Sequence, residues 1–202
     1  LFMLDIPLLR FDDDQPGYYV GTTGSAAWPG AALMRSTDGV NYTTQDSFSL
    51  PVTAGVTTNV LPSRPTYYMD RTSIVTVSLL RGSVSSCSLD DLLNGSNAAL
   101  LGDEIIQFQN ANLNPDSTVT LSNLLRGRKG SEAATAMHAI GERFILLQPS
   151  TTKFMPLNLS DNGRKFYFRA PSTGQEMHDV ADTIFVPQMD NLVPLVAVTV
   201  CG

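Results

Sequence analysis

The stretch LLGDEIIQFQNANLNPDSTVTLSNLLRGRKGSEAATAMHAIGERFILL, residues 100–147, decides the fold class of this chain. It consists of short runs of apolar and β-branched residues, separated by turn residues such as Gly102 and the triplet Asn114-Pro115-Asp116. Runs of this length between turn signals are typical of β-strands. In and around this stretch we therefore predict strands at residues 98–101, 104–108, 118–121 and 142–147.

The same pattern extends to both sides. Residues 74–79, IVTVSL, alternate apolar with polar side chains, which is the period of a half-buried strand. The Thr37-Asp38-Gly39 turn between residues 31–36 and 40–44 predicts a hairpin, because glycine takes positive φ without steric strain. We predict further strands at residues 4–11, 165–169, 183–186 and 192–200, and short helices at 89–93, after a capping Ser88, and at 132–137.

These short strands, without a βαβ rhythm or long amphipathic helices, indicate a mostly β protein. We expect β-sandwich or barrel modules of short antiparallel strands with one or two short helices. The prolines of residues 61–65 make that segment a linker candidate. We therefore predict a turn-rich β segment or small subdomain at residues 1–70 and a main β domain at residues 71–202, while one continuous β unit stays an open alternative. The chain lacks an initiator methionine, and we expect it to be a fragment of a longer protein.

The composition excludes several classes of protein. The chain has 13 basic and 19 acidic residues, a net charge of -6. Direct nucleic-acid binding is not expected, because it depends on basic side chains that neutralise phosphates. Cys87 and Cys201 are too few for a disulfide scaffold and are expected to be free thiols. We expect no membrane span, since no apolar run approaches roughly 18 residues, and no cofactor.

Few residues could carry catalysis. His138 precedes Glu142 by four residues, but the order of an HExxH zinc site and a GxSxG nucleophile elbow are both absent from the sequence. Asp103 and Glu104 are adjacent, so on a strand they point to opposite faces. We expect one of them to face solvent and the other to cap a turn or pair with an arginine. His138 is expected to be a structural or hydrogen-bonding residue, and the chain not to be an enzyme.

Two sets of residues are candidates for ligand binding. Asp12 and Asp14 would lie on one side of an extended chain, which suits calcium, although a solvated acidic turn is the alternative. Exposed aromatic side chains could stack on the faces of sugars, with a role in the core as the alternative. The aromatic candidates are Tyr18, Tyr19, Trp28 and Tyr42.

Three cations cluster in the segment LLRGRKG, residues 124–130: Arg126, Arg128 and Lys129. In one interpretation the leucines lie in the core and the arginines pair with surface carboxylates such as Glu132. In the other, the loop projects onto a neighbouring protein, where arginine forks suit bidentate pairing with carboxylates. We take the three cations as candidate interaction residues.

Several motifs occur in a definite order. The most specific are GDEIIQF at residues 102–108, LSNLLRGRKG at 121–130 and HAIGERF at 138–144. They are flanked by LDIPLL at 4–9, PGY at 16–18, WPGA at 28–31, STDG at 36–39 and LVPLVAV at 192–198. The series resembles the C-terminal region of the tail-tip proteins of siphophage-like particles, above all the baseplate hub or "megatron" proteins of gene transfer agents and their phage relatives. Lys129 and Ser131 stand where that family tends to have Arg and Thr.

The resemblance implies a virion structural protein of the tail tip or baseplate, made in the bacterial host cytoplasm. Such a protein helps to close the tail tube, contributes to host specificity and takes part in opening the path for DNA. Its partners would be other tail and baseplate proteins, the remaining modules of the same chain, and a host surface glycan or receptor. A trimeric full-length protein is compatible with the resemblance. Some relatives carry a glycosidase-like barrel upstream, but its features are not recognisable here.

Three functions follow as hypotheses. We expect a non-enzymatic structural and interaction module of a phage-like tail tip. The alternative is a carbohydrate-binding module for host surface glycans, which predicts a line of exposed aromatic side chains. A glycan hydrolase is the third, and it requires two carboxylates that converge in a cleft.

Overall fold

The computed structural model describes residues 1–10, 12–25 and 27–188. Helix α1 spans Leu89–Leu93, and within the described residues no helix has the length and apolar character that a membrane crossing requires. The predicted strand at 192–200 and Cys201 lie outside the described residues. The strands are β1 Phe2–Leu4, β2 Gly17–Gly21, β3 Ala31–Ser36, β4 Thr43–Phe48, β5 Ala54–Thr57, β6 Asp70–Arg81, β7 Ala98–Leu101, β8 Glu104–Leu113, β9 Val119–Leu125, β10 Arg143–Leu146, β11 Thr152–Pro156, β12 Phe166–Arg169 and β13 Thr183–Phe185.

Six consecutive strands form a closed antiparallel barrel, in the order β10-β5-β6-β9-β8-β7. Neighbouring residues of a strand alternate between the inside and the outside of this barrel, and on one side of the barrel the outside is also apolar. Ile106 and Phe108 pack inside with Phe144, whereas Ile105 and Ile145 pack outside. The apolar runs of β7 and β10 are therefore buried on both faces, whereas β6 and β9 alternate buried residues with residues that are exposed or half-buried.

Two further sheets cover one side of the barrel. Their strand orders are β1-β2-β11 and β13-β12-β3-β4. The three-stranded sheet is the middle layer: Tyr19 packs with Ile145 of the barrel, while Tyr18 and Val20 pack with Phe168 of the four-stranded sheet. Strand β2 is consequently buried along its whole length. The architecture has three layers, namely the barrel, the three-stranded sheet and the four-stranded sheet.

The prediction of a mostly β protein with short helices is confirmed. Helix α1 has the predicted bounds, and the Ser88 hydroxyl accepts a hydrogen bond from the Asp91 backbone N–H at 3.0 Å. The second predicted helix is a 3₁₀ turn, Glu132–Ala136, in which the N–H of Ala134 donates to the carbonyl three residues back. The segment is therefore wound more tightly than an α-helix.

The strand predictions in the N-terminal part need two corrections. The hairpin has its first strand where predicted, but β4 begins at Thr43 because the Asp38 carboxylate accepts the N–H groups of Val40 and Asn41, each at 2.8 Å. These bonds extend the turn. The strand predicted at 4–11 is wrong: β1 ends at Leu4, and the chain beyond it contains Pro7, which has no N–H to donate.

Strands from both sides of residue 70 pair with each other in every sheet. β5 lies between β6 and β10, β2 pairs with β11, and β3 pairs with β12. The barrel is thus a continuous stretch of chain, whereas the two outer sheets combine segments that precede and follow it. This arrangement places the loop after β9 next to the middle layer.

Candidate functional site

A cluster of buried charged side chains connects the loops at one end of the barrel. Glu104 begins β8, Arg126 follows β9, and the side chains of both are buried completely. The Nε and Nη2 atoms of Arg126 donate to the Glu104 carboxylate at 2.9 and 2.8 Å, and the Gly127 backbone N–H donates to it at 2.6 Å. Bidentate, charge-assisted pairing of this kind is among the strongest polar contacts in proteins.

His138 extends the cluster into the loop before β10. Its Nε2 lies 2.6 Å from Glu104 Oε2, and its Nδ1 lies 2.8 Å from Glu142 Oε2. Arg126 Nη1 donates to the Pro62 carbonyl at 2.8 Å, so the loop before β6 is tied to the same point. We call Glu104, Arg126 and His138 the buried charge cluster; the hydrogen-bonding role predicted for His138 is confirmed.

The contacts in this cluster favour the charged forms of Glu104 and His138. Burial alone raises the pKa of Glu104, but the hydrogen bonds from His138 and Arg126 outweigh it, and the pKa lies below its ordinary value. Burial alone lowers the pKa of His138, but Glu104 and Glu142 outweigh it, and the pKa lies above 6.5. The cluster therefore favours the imidazolium form of His138 over the neutral form more than water does.

His138 gives the folded protein a predictable dependence on pH. Because its pKa is raised on folding, its stabilising contribution is fully present below pH 6.5 and is lost as the pH rises through the folded-state pKa. We expect the free energy of unfolding of the wild type to fall over this window relative to that of His138→Gln. Urea unfolding at a series of pH values measures it, and exposed His178→Gln, the control, should behave as the wild type. Parallel profiles for wild type and His138→Gln would contradict the assignment.

The structure corrects the expectation for Arg126. It was predicted to belong to an interaction loop, or to pair with a surface carboxylate such as Glu132, but it lies in the interior against Glu104 and is not available to a partner. The expectation for the acidic pair is confirmed: Asp103 is exposed and pairs with Arg143, while Glu104 points inward to an arginine.

Arg128 and Lys129 are exposed and line a cavity of about 370 Å³ between the barrel and the middle layer. Arg10, from the segment after β1, lines the same cavity. Arg128 Nε donates to the side-chain oxygen of Gln107 at 2.9 Å, and Arg10 Nη2 donates to the Thr152 carbonyl at 2.7 Å. The structure therefore brings two predicted residues together with an unpredicted arginine.

The remaining contacts fix the side of the cavity that faces β8. The amide nitrogen of Gln107 donates to the carbonyls of Leu92 and Ser96 at 2.7 and 3.0 Å. Its oxygen is thereby directed at Arg128. Sequence reasoning did not single out Arg10, because it lies outside the quoted motifs and is remote in sequence from the loop that it approaches. Gln107 belongs to the motif GDEIIQF, but nothing in that motif indicates that its side chain positions an arginine.

The four aromatic candidates do not form a common surface. Tyr18 and Tyr19 are buried between the layers, which corrects their proposed role in sugar stacking, because β2 is covered on both faces. Trp28 and Tyr42 are half-buried. Trp28 Nε1 donates to Ser172 Oγ at 3.1 Å, and the Tyr42 ring lies 4.6 Å from the Arg169 guanidinium carbon. The exposed aromatic pair is Tyr67 and Tyr68.

The acidic turn and Cys87 have ordinary surroundings. Asp12 and Asp14 are exposed, whereas the intervening Asp13 is buried and accepts a hydrogen bond from the Tyr19 hydroxyl. Within the described ranges no three acidic, histidine or cysteine side chains are grouped as a metal site requires, so the geometry does not assemble a calcium site there. Among the described residues Cys87 is a free thiol.

Comparison with known protein families gives a match that covers the barrel. Residues 52–145 match the sequence model of the family described as Rcc01698-like, C-terminal. The matched residues begin just before β5 and end within β10, so the match and the barrel coincide. No curated protein matches the chain.

Proposed function

We propose that this chain is a non-enzymatic structural and interaction module of a phage-like tail-tip or baseplate hub protein, which serves tail assembly and host contact. One observation carries the proposal: the ordered motifs of residues 102–144 lie within the family match at 52–145, and those residues form one closed barrel. The motifs that resemble tail-tip hub proteins are therefore parts of a single folded unit.

The geometry of the barrel supports a mechanical role. Closure leaves no free strand edge on the barrel, so it does not offer its backbone to unspecific pairing. The buried charge cluster connects three loops: Arg126, which follows β9, donates to the loop before β6, and the Glu104 carboxylate binds both Arg126 and His138, which precedes β10. Glu104 and His138 face each other and Arg126 and do not line the cavity beside Arg128, which supports a role without catalysis.

Immunogold labelling tests this proposal. Antibodies raised against the purified chain are applied to tailed particles released by cells that encode it. We expect gold at the distal end of the tail, and none on particles from cells in which the coding segment is deleted. Absence of the chain from purified particles, or labelling confined to the capsid, would overturn the proposal.

A carbohydrate-binding module is the second candidate, and one observation favours it. Tyr67 is 86% exposed, and its ring lies 5.1 Å from that of Tyr68, between centroids, in the loop before β6. Exposed aromatic faces are suited to packing against sugar rings. Pull-down with isolated host-envelope glycans should show saturable binding that Tyr67→Ala removes and Trp28→Ala removes less, because Trp28 is half-buried. Binding that survives Tyr67→Ala would place any sugar site elsewhere.

A further inference from the structure

We propose that the cavity beside Arg128 binds a sugar-sized ligand that carries one carboxylate or phosphate group. The cavity lies between the barrel and the middle layer, with Gln107 and Arg128 on one wall and Arg10 and Thr152 on the other. Its volume of about 370 Å³ lies within the range of small-molecule sites. This inference does not depend on the tail-tip function.

The charge of the cavity is opposite to that of the protein. The chain carries a net charge of -6, yet Arg10, Arg128 and Lys129 line this cavity and none of the residues that line it is acidic. Among the described residues, none of these three cations forms an ion pair with a carboxylate. A concave surface of one charge sign concentrates counter-ions, so the site favours an anion.

Two of the three cations are held in place before any ligand arrives. The amide of Gln107 is fixed by two backbone carbonyls, and its oxygen holds Arg128 through Nε. This contact leaves the terminal nitrogens of the guanidinium without a partner among the described residues. A guanidinium held in this way presents a fork that matches a carboxylate or phosphate group. Arg10 is likewise held through Nη2 by the Thr152 carbonyl.

The rest of the lining indicates the body of the ligand. Leu9, Leu93 and Leu147 provide apolar surface, and Asn94 and Gln148, which carry amide groups, line the same cavity. A small inorganic anion would leave the apolar surface and the amides unused. A polyhydroxylated ring with one anionic substituent uses all three features, and uronic acids and sugar phosphates share this chemistry.

Isothermal titration calorimetry with the full chain tests the inference. The probes are glucuronate, glucose 6-phosphate, glucose and inorganic phosphate, at low salt. We expect glucuronate or glucose 6-phosphate to bind at least about tenfold more tightly than glucose, since a hydrogen bond to a charged group contributes that much. The same preferred probe should lose about tenfold in affinity with Arg128→Gln. Arg71→Gln, at an exposed arginine that does not line the cavity, is the matched control.

Each further outcome has a defined meaning. Equal affinity for glucose, no saturable binding by either acidic sugar, or full affinity in Arg128→Gln would overturn the proposal. Inorganic phosphate that binds as tightly as glucose 6-phosphate would overturn the sugar-sized part of it. Glucuronate preferred over glucose 6-phosphate identifies a carboxylate ligand, and the reverse a phosphate ligand. If Arg128→Gln does not fold, Lys129→Gln replaces it, because Lys129 is exposed and belongs to the same cavity.

Discussion

Replacement of Glu104 by alanine is expected to lower the free energy of unfolding by about 3–5 kcal/mol, because it removes the carboxylate that pairs directly with a buried arginine. Among the described residues, Arg126 would keep only the Asp70 carboxylate as a counter-charge, which lies 3.7 Å from its Nη1. Arg126 is 1% exposed; its Nε would lose its acceptor, and its Nη2 would keep only the Thr135 carbonyl at 3.4 Å. The Gly127 backbone N–H and the imidazole of His138 would lose the same carboxylate. Urea unfolding followed by circular dichroism measures the loss.

The neighbouring residue provides a matched control for this variant. The Asp103 side chain is 85% exposed and pairs with Arg143 at the surface, so Asp103→Ala should change the free energy of unfolding by less than about 1 kcal/mol. Adding Arg126→Met to Glu104→Ala should recover part of the loss, since the buried guanidinium that has lost its direct partner is then removed. Equal losses for Asp103→Ala and Glu104→Ala would show that the buried pair does not stabilise the fold.

Truncation of Phe108 to alanine is expected to cost about 3–5 kcal/mol of stability, through lost burial and the cavity that remains. Phe108 is fully buried inside the barrel, and its ring centroid lies 6.4 Å from that of Phe144 on β10, the second strand along the barrel wall. Chemical denaturation of the purified variant measures the effect.

Strand β8 carries its own control for the Phe108 variant. Leu113 lies at the end of that strand and is 76% exposed, so Leu113→Ala should change stability by no more than about 0.5 kcal/mol. A loss of less than 1 kcal/mol for Phe108→Ala would mean that the barrel interior repacks around the gap. A large loss for Leu113→Ala would mean that the end of β8 is covered in solution.

The elements of the fold that local sequence decides were predictable. The runs at 98–101 and 104–108 are strands as predicted, and Ser88 caps a helix with the expected bounds. Barrel closure was not predictable from these runs, because it depends on the pairing of β10 with β5, which are far apart in sequence. The three-layer arrangement was not predictable for the same reason, because each outer sheet combines strands that precede the barrel in sequence with strands that follow it.

The candidate site depends on contacts between residues that are distant in sequence, so neighbouring residues do not predict it. Arg126 and Arg128 stand two residues apart in one basic segment, and the sequence offers no sign that they differ. Gly127, with a φ of 56°, turns the chain between them, so that one arginine enters the interior and the other remains outside. The partner that draws Arg126 inward is Glu104, and the residue that completes the cavity is Arg10; both are distant in sequence.

The chain enters and leaves the barrel at neighbouring points, so the barrel could be replaced by another domain. The backbone N–H of Leu146 donates to the carbonyl of Thr53 at 2.9 Å, so the chain leaves the barrel beside the point where it enters. A different insert could be joined at these two points with little change in the entropy of loop closure. A replacement for the barrel would have to retain one feature, the apolar patch of Leu100, Ile105 and Ile145 that packs against the middle layer.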